Sequence, residues 1–420
     1  MEGPLSPDRD PEPDDRRVVC HVDMDCFYAA CERLREPALA GEPLVVGMGY
    51  EPGEDIGAVA TASYEAREYG VESAMPISEA LELLPRKVDA ARDDGLSVAD
   101  AGFYRPVDMD LYESVSHDVR GILHEAVETA DSDGTVREVS IDEAYLDVSV
   151  VGWTDARAFA ADLRGRVEAS AGVTASVGVA PNMSTAKVAS DHDKPDGLVV
   201  VRPDEVGEFL APLSVDELHG VGPVTADLLA DLGVETAGDL AETDLDTLET
   251  ELGSRGRAIH QHARGVDDRE VEPVGKPKSL SSEKALSTTD EGVTKRELVE
   301  RLAVEVADRA RSKGALYKTI GVKVVTPPFD VHTRVQSLSG PVDDPDLVEE
   351  VARDLLGEFD DDRVRKLGVR VSNLDFAAAD QPSLASWERD EETEQTVSEH
   401  TRGEAGRDTR GQTTFGDFDA

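Results

Sequence analysis

The sequence predicts an α+β fold with more than one domain. Apolar, β-branched segments that are typical of strands alternate with two long helical segments, at residues 104–129 and 155–171, which favours an antiparallel sheet backed by helices on one face. From about Arg202 the pattern changes to short helices, which indicates a separate helical domain. Strand-like runs return at residues 317–325 and 363–371, so a further α/β domain is expected later in the chain.

The charge of the chain limits the kinds of protein it can be. Among 420 residues, 43 basic and 89 acidic side chains give a net charge of −46. A protein that binds nucleic acid is expected to be basic, and this chain is the opposite. The acids are spread along the whole chain, which favours a surface adapted to molar salt, where the Debye length falls to about 3 Å. We therefore expect the cytoplasm of a halophile; the alternative is an acidic protein that avoids nucleic acid.

Cysteine usage and the N-terminal segment also favour the cytoplasm. The three cysteines, Cys20, Cys26 and Cys31, have no second Cys or His cluster that would complete a zinc site, so reduced thiols are expected. No apolar run approaches the roughly 18 residues of a membrane span, and no membrane association is expected. Residues 1–16 lack the apolar core of a signal peptide and are predicted to be a disordered leader.

Two apolar segments run into carboxylates, which a buried strand does not carry without a cation or a hydrogen-bonding partner. Residues 18–28 contain Asp23, and residues 136–148 contain Asp142 and Glu143. Three carboxylates from two strands can hold two hard divalent cations, and such oxygen ligands suit Mg²⁺. The alternative is a capped turn or surface acids, but both segments interrupt apolar runs, which favours a site.

These segments resemble the two metal-binding motifs of Y-family translesion DNA polymerases, in the DNA polymerase IV-like branch. The matching stretches are Asp-Met-Asp-Cys-Phe-Tyr from Asp23 and Ser-Ile-Asp-Glu-Ala-Tyr-Leu-Asp from Ser140. Further matches follow in the order that the family has, at residues 60–67, 176–180, 186–187 and 194–197. The resemblance extends over residues 17–376, and together with the acidic composition it implies a haloarchaeal source.

The resemblance implies a right-hand-like architecture with a ferredoxin-like palm, small fingers, a helical thumb and an α/β little finger domain. The expected segments are a leader at 1–16, the palm at 17–26 and 94–182, the fingers at 27–93, the thumb at 183–265, a linker at 266–277, the little finger at 278–376, a disordered linker at 377–411 and a clamp-binding peptide at 412–418.

The resemblance implies that two Mg²⁺ ions are bound at the ends of the motif strands. The expected ligands are the carboxylates of Asp23, Asp142 and Glu143 and the carbonyl of Met24. Glu143 is expected to hold the metal on the side of the nucleophile. Asp25 and Asp147 are close enough to be alternative ligands, but the family pattern implies that they are structural.

The resemblance also implies contacts to the incoming dNTP. The residues are Tyr28, Tyr64, Arg67 and Lys194, with Lys187 as a weaker candidate that serves packing or DNA. Tyr28 matches the steric gate, a ring that stands where a ribose 2′-hydroxyl would lie; the alternative is a core tyrosine. Tyr64 and Arg67 lie one helical turn apart, so both can face the γ-phosphate. The alternative for Arg67 is a solvated helix surface.

Two later regions are expected to bind DNA. Residues 217–225 carry a helix-hairpin-helix signature, in which Gly220 and Gly222 let backbone amides approach a phosphate. Residues 275–376 hold 17 basic and 19 acidic side chains, against 26 and 70 in the rest of the chain, so basic residues are concentrated here. The expected DNA contacts in this region are Lys318, Lys323, Arg365 and Arg370, with Lys366 beside them, on one face of a sheet. The alternative is ordinary surface charge.

The polar residues 377–411 are followed by a short peptide that resembles the clamp-binding motif of archaeal and eukaryotic replication proteins. Its expected anchors are Gln412, Phe415 and Phe418. Phe415 stands where an aliphatic residue is usual, and Asp419 stands where a second aromatic residue is common.

The sequence therefore predicts a monomeric, template-directed DNA polymerase that carries out error-prone translesion synthesis. Its expected partners are primer-template DNA, dNTP and a sliding clamp. A nucleotidyl cyclase has similar metal carboxylates, but the thumb signature and the clamp peptide argue against it. A non-catalytic clamp-bound factor would be expected to lack a carboxylate or the triphosphate lysine, and none is missing.

Overall fold

The computed structural model describes residues 17–53, 57–93, 95–130 and 134–376. These residues form two compact units, divided between Val274 and Gly275. The predicted linker at 266–277 spans this division. None of the helices in the described ranges is long and apolar enough to cross a membrane.

The first unit contains eight strands and twelve α-helices among its described residues. Its strands are β1 (Val19–Met24), β2 (Leu44–Gly47), β3 (Val59–Ala62), β4 (Phe103–Arg105), β5 (Val136–Glu138), β6 (Glu143–Asp147), β7 (Ala175–Ala180) and β8 (Leu198–Val200). Its helices are α1 (Phe27–Arg35), α2 (Tyr64–Arg67), α3 (Ile77–Leu83), α4 (Lys87–Ala90), α5 (Met109–Ala130), α6 (Gly152–Ala171), α7 (Met183–His192), α8 (Val206–Leu210), α9 (Pro223–Asp231), α10 (Ala237–Glu242), α11 (Leu245–Leu252) and α12 (Ser254–Ala263).

A five-stranded sheet in the order β5-β6-β1-β7-β8 forms the centre of this unit. β1 pairs antiparallel with β6 and β7, and β8 joins β7 in parallel. Cys20 and Val22 pack in the core with α5 and α6, whereas Val19 packs in a second core with α7. The prediction that helices cover one face only is therefore wrong. Because β1 and β7 are buried on both faces, they appear in the sequence as continuous apolar runs without alternation.

Helix α7 lies very close to β7 at Gly178. A Cβ at this position would stand 2.1 Å from the Ala186 carbonyl oxygen and 2.3 Å from the Ser190 amide nitrogen, so only glycine fits. This close approach holds Lys187, on α7, beside the end of β1.

Two predicted domain boundaries cut through sheets. A three-stranded sheet has the order β3-β2-β4, so Phe103–Arg105 lies with the segment predicted as fingers, although the palm was expected to resume at residue 94. Residues 183–201, expected to begin the thumb, instead form α7 and β8 on the central sheet. Helical periodicity locates α7, but it does not reveal which neighbour its apolar side packs against.

Helices α8 to α12 form a small helical region whose apolar interior is continuous with the core of α7 and Val19. Leu210, Leu229, Leu240, Leu248 and Ile259 are buried there. This region contains the predicted helix-hairpin-helix signature, at the N-terminal end of α9.

The second unit is a four-stranded sheet covered by two helices. Its elements are β9 (Ser279–Thr289), α13 (Gly292–Ser312), β10 (Tyr317–Thr326), β11 (Asp330–Val342), α14 (Pro345–Leu356) and β12 (Val364–Ser372). The strand order is β11-β10-β12-β9, and all neighbours are antiparallel. Ile320 and Val322 pack against the helices together with Leu302 and Val351. The α+β prediction for the whole chain is confirmed.

Candidate active site

Adjacent strands bring two of the predicted carboxylates together. Asp23 on β1 lies opposite Glu143 on β6, and the Met24 amide donates to the Asp142 carbonyl at 2.9 Å. The side chains of Asp23 and Glu143 are 13% and 21% exposed. The pair therefore lies at the end of a buried sheet but remains open to small ligands.

Asp142 lies beside this pair, and its carboxylate contacts the Ser140 hydroxyl. In the part of the chain that the structure describes, no three His, Cys, Asp or Glu side chains converge as ready metal ligands. Burial raises the pKa of Asp142, and the charges of Asp23 and Glu143 raise it further, against the hydrogen bond from Ser140. Crowding of this kind favours the binding of a cation.

Two lysines occupy the space between the carboxylates. The Lys187 ammonium lies 3.1 Å from Asp23 Oδ2 and 3.0 Å from Glu143 Oε2. The Lys194 ammonium lies 2.6 Å from Asp23 Oδ1. Both lysines also contact Asp191 on α7, at 3.4 and 2.8 Å. Sequence reasoning missed Asp191, although its spacing from Lys187 along one helix was a usable signal.

The electrostatics of the cluster show how strongly these charges interact. Burial alone would raise the pKa of Glu143, but the neighbouring His21 imidazole and the charge of Lys187 lower it to about 2. Burial alone would lower the pKa of Lys187, but Asp23, Asp191 and Glu143 raise it well above its ordinary value. Glu143 and Lys187 are therefore both charged near neutral pH.

His21 lies beside Glu143 in the interior of the first unit, and sequence reasoning did not single it out. The imidazole is fully buried, with Nδ1 2.8 Å from the Ser190 hydroxyl and Nε2 3.4 Å from Glu143 Oε2. Ser190 in turn donates to the Lys187 carbonyl at 2.7 Å. These contacts connect β1, β6 and α7 directly below the cluster.

The two alternative carboxylates have other partners. Asp25 accepts hydrogen bonds from the Tyr64 hydroxyl, the Ser176 hydroxyl and the Asp196 amide. Asp147 accepts from the Ser149 amide at 3.0 Å and from its hydroxyl at 2.6 Å. Both sets of contacts fit the structural roles that the family pattern implies.

Tyr28 lies near this cluster, at the start of α1. Its ring stacks on Tyr112 with the centroids 4.4 Å apart and the planes inclined by 14°. Tyr112 is fully buried, and its hydroxyl donates to Glu32 at 2.8 Å. Burial and the charge of Asp142 raise the pKa of Tyr28. Tyr112 therefore fixes the Tyr28 ring, a role that sequence reasoning did not find.

Tyr64 and Arg67 lie together on α2. The Arg67 guanidinium stands over the Tyr64 ring, 4.8 Å from its centroid, and its Nε donates to the Ala62 carbonyl at 3.1 Å. Ser63 caps the helix by accepting from the Ala66 amide. The expected proximity of the two side chains is confirmed, and their function stays a prediction.

Family models match three parts of the chain. Residues 22–191 match the impB/mucB/samB family, residues 277–384 match its C-terminal domain, and residues 216–267 match the thumb domain of DNA polymerase iota. A DNA polymerase IV from Halobacterium salinarum is 58% identical over 379 residues, which are 90% of each chain. The chain belongs to the Y family of DNA polymerases. It is a DNA-directed DNA polymerase of the DNA polymerase IV-like branch.

Other relatives agree with this assignment of the polymerase. A DNA polymerase IV from Methanoculleus marisnigri is 42% identical, over 88% of this chain and 97% of the relative. A solved Y-family chimera of Dbh and Dpo4 has a TM-score of 0.72 and 28% identity, over 85% of this chain and 99% of the chimera. A Dbh insertion ternary complex has a TM-score of 0.59 and 27% identity.

The polymerase presents its two predicted thumb glycines at a helix start. Gly220 is exposed with φ 93°, a conformation that favours glycine. Gly222 is the N-cap of α9, makes no side-chain cap hydrogen bond and is followed by Pro223. The His219 carbonyl lies 2.9 Å from His262 Nδ1, which ties the turn to α12.

Three of the predicted basic residues of the second unit share one face of its sheet. Lys323 on β10 and Lys366 and Arg370 on β12 alternate with core residues, with Lys323 beside Gly368 and Glu283 and Arg370 beside Gly321. The pairing of the strands is irregular next to Lys318 and Arg365. Tyr317 and Ile320 are both core residues, as are Val364 and Leu367, so alternation is interrupted at Lys318 and Arg365, and their place on this face stays a prediction.

The open face of this sheet carries Lys323, Lys366 and Arg370, and the first two flank Glu283. Glu283 Oε2 lies 3.3 Å from the Lys323 ammonium and 2.8 Å from the Lys366 ammonium. Arg370 donates to the Ser279 hydroxyl at 2.9 Å. Arg365 lies over the Phe329 ring and donates to the Pro328 carbonyl.

Several predictions fall outside the described residues. These are the leader at 1–16, the linker at 377–411 and the clamp-binding peptide with Gln412, Phe415 and Phe418.

Proposed function

We propose that this polymerase adds a dNTP to a primer 3′-hydroxyl by two-metal nucleotidyl transfer, and that it does so opposite damaged as well as undamaged template bases. The observation that carries the proposal is the excess of carboxylates at the ends of β1 and β6. Asp23, Glu143 and Asp191 contact Lys187 and Lys194, and the carboxylate of Asp142 lies beside them.

The donor set suits a hard divalent cation, and Y-family polymerases use divalent metals. Asp23, Asp142 and Glu143 would hold it, with the Met24 carbonyl as a further oxygen. Bound Mg²⁺ would lower the cost of deprotonating the 3′-hydroxyl and offset the charge of the triphosphate. For this, Lys187 must leave the space between Asp23 and Glu143. Lys187 and Lys194 can then turn to the anionic triphosphate, since a lysine is a mobile point charge.

The residues around the cluster would select and orient the nucleotide. Tyr28 is proposed as the steric gate, because it lies near Asp142 and rests on the buried Tyr112 ring. Removing the ring removes a clash and not a ligand, so Tyr28→Ala should incorporate ribonucleotides while dNTP use is retained. An unchanged preference for dNTP over rNTP would favour a core role for Tyr28.

Two surfaces are proposed to hold primer-template DNA through its phosphates. At the thumb, Gly220 is exposed and Gly222 is the N-cap of α9, and their backbone amides would bind a phosphate at the start of this helix. On the sheet of the second unit, Lys323, Lys366 and Arg370 provide cations on one face. Neither surface offers a pattern that reads base identity, which suits a polymerase acting at any sequence.

A sliding clamp is proposed as a partner because the acidic chain should hold DNA weakly in molar salt. A tether of 35 residues such as 377–411 spans about 30 to 35 Å and keeps the enzyme at roughly millimolar concentration near the clamp. Phe415→Ala with Phe418→Ala should leave low-salt activity unchanged and remove clamp stimulation. In wild type, stimulation that is flat or falls from the lowest KCl concentration upward would contradict this proposal.

Primer extension in molar KCl tests the proposed reaction. Extension should require a divalent cation, stop with chelator, and continue past an abasic or alkylated template base. Extension that persists with chelator would contradict metal catalysis. Extension that stops before every lesion would contradict translesion synthesis while leaving the polymerase assignment intact.

A further inference from the structure

Asp25 is a buried carboxylate that joins three separate segments of the first unit. It is 3% exposed and follows β1 directly. Its Oδ1 accepts from the Tyr64 hydroxyl at 3.1 Å and from the Ser176 hydroxyl at 2.9 Å, and its Oδ2 accepts from the Asp196 amide at 2.8 Å. Three of the roughly four acceptor positions of a carboxylate are thus used by the protein itself.

Two of these segments carry proposed contacts to the nucleotide. Tyr64 begins α2, and its ring lies under the Arg67 guanidinium. Asp196 comes two residues after Lys194, which reaches Asp23 at 2.6 Å. Fixing Tyr64 and Asp196 to one carboxylate therefore sets the separation of Arg67 and Lys194.

Ser176 makes this arrangement firmer. Its hydroxyl donates to Asp25 and accepts from the Gly197 amide at 3.1 Å. It is fully buried on β7, in register with Asp23. The loop after Lys194 is thus held both directly by Asp25 and through Ser176.

We propose that Asp25 is a positioning residue for the incoming nucleoside triphosphate and not a metal ligand, and that it acts by holding α2 and the Lys194 loop at a fixed distance. The proposal rests on the nucleotide contacts proposed above. One of the three donors to Asp25 is the Asp196 backbone amide, which cannot turn away to release the carboxylate to a cation without moving the loop. Small displacements of positioned groups are costly, so the effect should appear in nucleotide binding.

Asp25→Asn tests this without removing the side chain. The amide oxygen can still accept from Tyr64 and Ser176, but the NH₂ group would face the Asp196 N–H, donor against donor, and displace the Lys194 loop. The KM for dNTP should rise about tenfold, with kcat reduced less than about threefold, as expected for one lost charge-assisted hydrogen bond. Manganese binding, followed by electron paramagnetic resonance without nucleotide, should keep its stoichiometry.

Ser176→Ala provides a second variant outside the proposed binding residues. It should raise the KM for dNTP in the same direction by a smaller factor, because Gly197 loses its acceptor and Asp25 loses a donor. The double variant should raise KM less than the product of the single effects, since both act on one network. A surface carboxylate on α5, in Glu113→Gln, is the matched control and should change nothing.

The possible outcomes separate the alternatives. A loss of manganese sites in Asp25→Asn, or a fall in kcat with unchanged KM, would make Asp25 a metal ligand and overturn the proposal. An unchanged KM in both variants would also overturn it, whatever the thermal unfolding shows. Chelator-resistant extension by the wild type would instead contradict the metal mechanism. The KM values of Asp25→Asn and Ser176→Ala would then still decide whether Asp25 is a positioning residue.

Discussion

Two clusters of this polymerase are built from the same kinds of side chain but have opposite net charge. At the ends of β1 and β6, the carboxylates of Asp23, Glu143 and Asp191 contact Lys187 and Lys194, with Asp142 beside them. On the open face of the second sheet, Lys323 and Lys366 flank the carboxylate of Glu283, and Arg370 lies on the same face.

The difference shows how a chain with a net charge of −46 can prepare sites for ligands of either sign. In each cluster the side chains of the less numerous charge pair with those of the more numerous charge. This pairing reduces the repulsion among the like charges in the absence of ligand. The acidic cluster favours a cation, which would displace lysine. The basic cluster favours phosphate, which would displace glutamate.

Removing the majority charge of the acidic cluster should have the largest effect. Asp142→Ala with Glu143→Ala should lower the rate of primer extension by roughly a thousandfold or more, since the metal can no longer be held, while DNA binding is retained. Glu113→Ala with Asp118→Ala removes two exposed acids of α5 and is the control for charge. Undiminished nucleotide incorporation by Asp142→Ala with Glu143→Ala would contradict the assignment of a metal site to the acidic cluster.

Removing a majority charge from the basic cluster should have a moderate effect. Lys366→Gln should weaken DNA binding about three- to tenfold at low salt and reduce the salt slope by about one, as for one phosphate contact. Lys313→Gln, which changes an exposed lysine at the end of α13, should leave affinity unchanged. Equal losses in the two variants, measured by fluorescence anisotropy across a KCl series, would mean that the open face has no special role.

Removing the minority charge of the basic cluster should have a smaller effect with the opposite sign. Glu283→Gln should tighten DNA binding by about threefold at low salt and steepen the salt slope, because Lys323 and Lys366 lose a competing partner. Weaker binding in Glu283→Gln would show that Glu283 orients the lysines and does not compete with DNA.

The acidic cluster should also leave a small signature in the pH dependence of stability. The folded pKa of Glu143 is lowered from 4.5 to about 2, so its contribution to the free energy of unfolding is present above pH 4.5 and is lost as the pH falls toward 2. Glu143→Gln should therefore lose stability less steeply than wild type over this range. Parallel curves for the two proteins in urea unfolding would contradict the strong pairing of Glu143 with its cationic neighbours.

The sequence was sufficient to identify the acidic cluster but not its internal contacts. Asp23 and Glu143 could be paired because Asp23 lies near the end of one apolar strand and Glu143 at the start of another, each in a recognisable motif. The contact of Lys187 with both depends on how closely α7 approaches β7 at Gly178, which is a tertiary property. Tyr112 lies in the first turn of α5 as one of several buried residues of that helix, and no local pattern marks it as the partner of Tyr28.

For the second sheet, other features could not be predicted from the sequence. Tyr317 and Ile320 both pack in the core, so the alternation of β10 is interrupted beside Lys318, and the spacing from Lys323 does not reveal which side Lys318 faces. The strands β9 and β11 were not predicted, because β9 is rich in serine and threonine and β11 is largely exposed, so neither shows an apolar run. The position of Glu283 between two lysines depends on the pairing of β9 with β12, which no local pattern reveals.

Manganese binding to the Lys187→Met variant tests most directly whether a lysine holds the place of the metal. Methionine keeps the length and apolar stem of lysine but removes the charge that lies between Asp23 and Glu143. Without nucleotide or DNA, the dissociation constant for Mn²⁺, measured by electron paramagnetic resonance in KCl, should fall about tenfold or more relative to wild type, since one repulsive charge has been removed. An equal or weaker affinity for Mn²⁺ in Lys187→Met would show that Lys187 does not compete with the cation. It would contradict the proposal that this lysine occupies the place of the metal in the acidic cluster.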